Sequence, residues 1–215
     1  MHGFEGNMGL QGRCKKMAKK YIYIPINSDE MQEFAKDLAG AWNIPVNQIL
    51  ANKVTSGVGK AMYRWVDKCL SKLTPSDTLY IVTHGTGAPD GKMIGAQRNS
   101  GKNKQKKVYV NGMAQWQGGE WKTYTPTQLA STLVKEGLPA HFVDLHVCAC
   151  GSGYDGNELR PWAQRLLQQM GSTYRSLQVT GYRGWFSCGT TRVCIKVGTI
   201  FYPLEERAVT FSLGN

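Results

Sequence analysis

The sequence predicts an α/β fold: a central, mostly parallel sheet of about six strands flanked by helices. Three observations predict it. Short runs at residues 21–26, 79–83, 142–148 and 177–182 have the length and the β-branched and apolar content of buried strands. Between them lie stretches whose apolar residues recur at helical spacing and which stop at glycine. Two of the strands run straight into glycine-rich turns, His84-Gly85-Thr86-Gly87 and Cys150-Gly151-Ser152-Gly153. Such turns end a strand at its carboxyl edge, where open α/β sheets bind ligands.

The first strand, 21–26, is followed by Asn27-x-x-Glu30, a capping-box-like start, and by Met31, Phe34, Ala35 and Leu38 on one helical face, with Gly40 as the stop. A loop holding Pro45 and Asn47 leads to a second helix over about 57–73, striped by Met62, Trp65, Val66, Cys69, Leu70 and Leu73. Pro75-Ser76-Asp77 ends it and feeds the strand 79–83. Residues 88–121 break the rhythm: a basic, glycine-rich insertion with a hairpin of 107–110 against 121–124, the Asn111-Gly112 dipeptide marking a turn. Its place after the histidine strand puts it at the rim of the candidate site.

Thr125-Pro126-Thr127-Gln128 starts the next helix with a cap, a proline in the first turn and a glutamine at the third position. The cysteine strand follows, then a helix over about 158–170, the strand 177–182, and a terminal pair of 192–197 with 209–213.

At 215 residues, 41% hydrophobic and 19% charged, the chain suits one globular domain over 21–215, preceded by a loose basic segment, 1–20. No apolar run approaches the roughly 20 residues that span a bilayer. The first 20 residues lack the apolar stretch of a secretory signal, which points to the cytoplasm or to delivery without a cleaved signal. The net charge of +11 is clustered in Lys15, Lys16, Lys19 and Lys20 and again in Arg98, Lys102, Lys104, Lys106 and Lys107. The second cluster is a candidate site for a polyanion; it equally suits a solvated loop.

Six cysteines do not make a disulfide framework. Cys148-x-Cys150 with Cys188 and Cys194 lacks the usual spacing of a zinc site, and alternate residues on a strand stand about 6.6 Å apart, wide for ligands of one tetrahedral ion. No metal or other cofactor is required by the residues. Cys150 and His84 share one position, the step after a core strand and next to glycine. A thiol attacks a carbonyl as thiolate, an imidazole supplies that form and later protonates a leaving amine, and N–H groups at Gly85 and Cys150 suit an oxyanion. Each residue alone also fits a structural role, and Cys148 reads as a buried thiol. His146 lies about 13 Å from Cys150 at strand rise, His141 at the strand's far end and His2 in the terminal segment, so His84 is the partner by elimination.

These residues resemble the caspase-like (clan CD) cysteine peptidases, whose pattern is a strand ending in His-Gly and a later strand ending in Ala-Cys. Here those are Leu79-Tyr80-Ile81-Val82-Thr83-His84-Gly85 and Val147-Cys148-Ala149-Cys150. Pro75-Ser76-Asp77 and Ala149-Cys150-Gly151-Ser152-Gly153 are similar to metacaspase motifs, and the resemblance covers roughly residues 20–185. It implies a caspase-like three-layer sandwich, an endopeptidase with His84 as base and acid and Cys150 as nucleophile, and a protein or peptide substrate. Gly85 and Cys150 would supply the oxyanion amides.

Metacaspases carry an aspartate two residues before the nucleophile; Cys148 stands here, so a Lys/Arg preference is not carried over. Residues 179–184 resemble a substrate-pocket strand of self-processing toxin peptidases, which makes Arg183 and Tyr182 candidate substrate contacts and 98–107 an anion or cleavage site. Activation by a polyanion or by calcium stays open. The alternative is a catalytically silent caspase-like fold that binds nucleic acid or a protein partner through its basic face.

Overall fold

The computed structural model describes residues 17–51, 67–85, 93–98, 100, 102–155, 160–188 and 192–214. Its centre is a six-stranded sheet built from β1 (Lys20–Ile24), β2 (Ile49–Ala51), β3 (Thr78–Val82), β9 (Asp144–Cys148), β10 (Gln178–Tyr182) and β14 (Ala208–Ser212). Across the sheet the order is β14-β10-β9-β3-β1-β2. All neighbours pair parallel except β14, which runs antiparallel to β10 at one edge. The mostly parallel sheet expected from the sequence is present.

Helices cover both faces. In the strand register Tyr80 lies beside His146 and His146 beside Thr180, so Tyr80 and Tyr182 share a face and Gly181 points the other way. Helix α1 (Asp29–Ala41) lies on the Tyr80 face, where Trp42 just past its end packs on Tyr80 with the rings tilted and their centroids 4.4 Å apart. Helix α3 (Trp162–Met170) lies on the opposite face, its Ala163 against Gly181, and α2 (Pro126–Lys135) packs beside it. Core side chains such as Ile22, Tyr23, Leu79, Ile81, Leu145, Leu166 and Trp162 are buried between these layers. Removing each from water is worth about 1.5–3 kcal/mol for the larger apolar groups.

Local chemistry explains the helix ends. Ser28, one residue later than the expected Asn27, caps α1 by accepting from the Met31 amide at 3.3 Å, while Asn27 Oδ1 accepts from Gln32 Nε2. The helix runs past Gly40 to Ala41. Its stop is Asn43, whose φ of 54° lets the Ile44 amide return to Ala39 O at 2.8 Å. Helix α2 has the full capping box of Thr125 and Gln128 that the sequence predicts.

Three expectations are corrected. Most of the helix over 57–73 lies outside the described residues, and its described tail, 67–72, is a series of turns with Lys68 at a φ of 56°. In the insertion, β6 (Lys106–Val110) turns at Asn111-Gly112 and pairs with β7 (Met113–Gln117), not with 121–124. Strand β8 (Glu120–Tyr124) instead joins β5 (Ile94–Arg98), which also pairs with the short β4 (His84–Gly85). The expected terminal pair does not form either. Strand β12 (Val193–Val197) pairs with β11 (Trp185–Cys188) and β13 (Ile200–Tyr202), and α4 (Leu204–Arg207) separates them from β14 in the central sheet. Among the described residues no helix is long and apolar enough to cross a membrane.

Burial also sets a pH limit on stability. It pushes the Cys69 thiol and the Tyr80 hydroxyl up to about 12 and Cys148 well above its usual value. Folding therefore favours the protonated forms. Their contribution is complete below the ordinary thiol value of 9.0 and is lost as pH rises through it towards about 12. The urea midpoint should fall between about pH 8 and about pH 11, and an unchanged midpoint would contradict this account.

Candidate active site

The two predicted strand ends meet. β3 and β9 are neighbours, and Val82 faces Cys148 in their register, so His84 and Cys150 each follow by two residues at the same height. Thr83 steers the first end out of the sheet: its amide still bonds to Cys148 O, but its hydroxyl donates to Gly95 O at 2.8 Å and the chain continues into β4. The second end bends at Ala149-Cys150 and is clamped from two sides. The Gly151 amide donates to Gly184 O at 2.8 Å and the Gly153 amide to Tyr182 O at 3.0 Å. The buried Ser152 hydroxyl donates to Val147 O and accepts from the Tyr182 amide. Gly151, at a φ of 71°, takes the left-handed turn that a side chain would resist.

Gly85 sits directly against the Cys150 main chain. A Cβ there would lie 2.0 Å from Cys150 O and 2.9 Å from Cys150 N. The Cys150 thiol is half-buried, with Sγ 3.9 Å from Phe186 O on β11. Burial raises its pKa, and backbone groups of Phe186, Gly85 and Cys150 oppose that rise. Two of those groups are the residues expected to hold an oxyanion.

His84 is held by a residue that sequence reasoning took for part of a helix cap. Its Nε2 lies 2.9 Å from Glu30 Oε1 in the first turn of α1, and its ring meets Trp121 of β8 edge-on at 6.0 Å. The imidazole is 40% exposed. With Nε2 on the carboxylate, Nδ1 is the nitrogen left for a thiol. Among the described residues the imidazole's hydrogen bond goes to Glu30, and none joins it to Cys150.

Beside His84 a cleft of about 190 Å³ opens between α1 and the β6–β7 hairpin. Glu30, Glu33, Asp37, Phe34 and Trp116 line it. Burial and the neighbouring Glu33 raise the Asp37 pKa, and Lys107 reaches across to bond Glu33. The three carboxylates lie at helical spacing on one side of α1.

The other predicted residues stand apart from His84 and Cys150 or are engaged. Tyr182 is buried, its hydroxyl 2.8 Å from His146 Nδ1, and His146 Nε2 is 3.1 Å from Asp144. Arg183 donates to Asp155 at 2.9 Å and to Gly153 O, folding onto the turn after Cys150. Arg98 pairs with Glu120 and Lys107 with Glu33, whereas Lys102, Lys104 and Lys106 are exposed. Among the described residues no group of three or more His, Cys, Asp and Glu side chains is arranged to hold a metal ion. No family model matches the chain and no curated protein matches it.

The tight Gly85 contact yields a sharp expectation. Gly85→Ala must push the two strand ends apart, at a cost of about 1–3 kcal/mol. It should lower the melting temperature and slow alkylation of Cys150 by a peptidyl electrophile at least tenfold. A variant that melts and reacts like wild type would show that the two main chains are not in contact.

Proposed function

We propose that the protein is a caspase-like cysteine endopeptidase with Cys150 as nucleophile and His84 as general base and acid. The observation that carries the reading is the meeting of the two strand ends at Gly85 and Cys150, beside an imidazole held by a carboxylate. Fold class supports it: the site lies at the carboxyl edge of a parallel sheet.

The reaction follows from those groups. His84 takes the thiol proton and Sγ of Cys150 bonds to the scissile carbonyl carbon, whose π pair moves to oxygen. Amides of Gly85 and Cys150 donate to that oxyanion. Collapse breaks the C–N bond as the imidazolium gives its proton to the departing amine, leaving a thioester. Water then loses a proton to His84 and attacks the thioester carbon; the C–S bond breaks, releasing the carboxylic acid, and the leaving sulfur takes the proton back from His84. Burial keeps the resting thiol protonated, which leaves its activation to substrate binding and His84.

A peptidyl chloromethyl ketone followed by peptide mapping tests this. Wild type should be modified selectively at Cys150, and His84→Ala should slow the reaction about 100-fold or more. Equal, slow labelling of several cysteines, indifferent to His84, would defeat the peptidase reading. The exposed Lys102, Lys104 and Lys106 favour a second reading, a binder of nucleic acid or of a protein partner through this basic face. Binding of that kind weakens steeply with salt and ignores Cys150→Ala.

A further inference from the structure

The insertion reaches back to the base. Gln105 Nε2 donates to Glu30 Oε2 at 3.2 Å, while Glu30 Oε1 sits 2.9 Å from His84 Nε2. One carboxylate therefore joins the insertion to the imidazole. Gln105 is 7% exposed, whereas Lys102, Asn103, Lys104 and Lys106 around it are all exposed. Burying a primary amide within a solvated run is costly unless it is hydrogen-bonded, and a bond to a carboxylate is the stronger, charge-assisted kind.

The neighbouring contacts fix the same geometry. Asn103 exchanges two hydrogen bonds with Gly119, at 2.7 and 2.9 Å, and so ties the loop to the turn before β8. Trp121 of β8 is the ring that meets His84. Lys107, two residues after Gln105, bonds Glu33 one turn along α1 from Glu30. The insertion thus grips α1 at two carboxylates, and one of them is the partner of His84.

We propose that Gln105 is a positioning residue of the peptidase site: it holds the Glu30 carboxylate that holds the His84 imidazole. The proposal rests on the cysteine-peptidase reading. A glutamate side chain has several rotatable bonds, and fixing one oxygen aims the other. Glu30 in turn fixes Nε2 as the protonated nitrogen, which leaves the Nδ1 lone pair to take the thiol proton. Docking of the insertion on α1 is then a condition of full activity, although the insertion supplies no reacting atom.

Gln105→Met keeps the shape and removes the donor. Two readouts decide: the His84 tautomer by ¹⁵N NMR, and the inactivation of the full chain by a peptidyl chloromethyl ketone. In wild type His84 should hold the Nε2–H tautomer. In Gln105→Met the tautomers should mix, and the maximal inactivation rate should fall about tenfold with inhibitor affinity unchanged. An unchanged tautomer and rate would overturn the proposal. If Gln105→Met does not fold, Gln105→Asn, which keeps the amide but shortens its reach, is read the same way. Failure of the peptidase reading looks different: wild-type labelling would ignore His84→Ala, while the tautomer would still report whether Gln105 positions the imidazole.

Discussion

The parallel pairing of β3 with β9 is the constraint on which the rest of the site depends. Because Val82 and Cys148 are register partners, two separate stretches of chain leave the sheet at one height. Each then has two residues in which to turn, and the turns converge until Gly85 lies on the Cys150 main chain. A slip of one residue would send every side chain of the strand to the other face. Leu79, Ile81, Leu145 and Val147 are fully buried on one face, whereas Tyr80 and His146 on the other are half-buried, so the sheet cannot slip without exposing its core. The stability of the core and the geometry of the site are therefore one property.

Helix α1 supplies the second half of the arrangement. Its apolar stripe of Met31, Ala35 and Leu38 is buried, while Glu30, Glu33 and Asp37 line the cleft beside His84. Aromatic rings behind the helix tie it to the surroundings of Cys150. Phe186 touches Phe34, Trp42 and Tyr182, and its carbonyl approaches the Cys150 sulfur. Trp42, Tyr80, His146 and Tyr182 continue that layer across the sheet. Tyr182, expected as a substrate contact, belongs to this packing instead of to the open rim. Its hydroxyl bonds to His146 of the Asp144–His146 pair; burial pushes the Asp144 carboxyl up, but hydrogen bonds from His146 and Thr78 bring it below its usual pKa.

Much of the sheet was legible because its signals are local. The strands β1, β3, β9 and β10 are short apolar runs with clear stops, and Thr125 with Gln128 announces α2. Pairing between distant segments was not legible. Asn111-Gly112 marks a turn in both sequence and structure, but Met113–Gln117 has no β-branched residue and so carries a weaker strand signal than residues 121–124. The last strand reads like a partner for the one before it, yet it pairs antiparallel with β10 at the edge of the central sheet. In the site, His84, Gly85 and Cys150 were visible from their position beside glycine. Glu30 and Gln105 were not, because a glutamate in a first helical turn and a glutamine in a lysine-rich loop each have an ordinary local explanation. Their roles arise only from contacts across 54 and 75 residues of chain.

Cleavage of a diverse peptide mixture by wild type and by Cys150→Ala, read by mass spectrometry, tests the central claim most directly. The account predicts new peptide termini that share a preferred residue at the cut, formed by wild type and absent with Cys150→Ala. Identical, background cleavage by both proteins would contradict it.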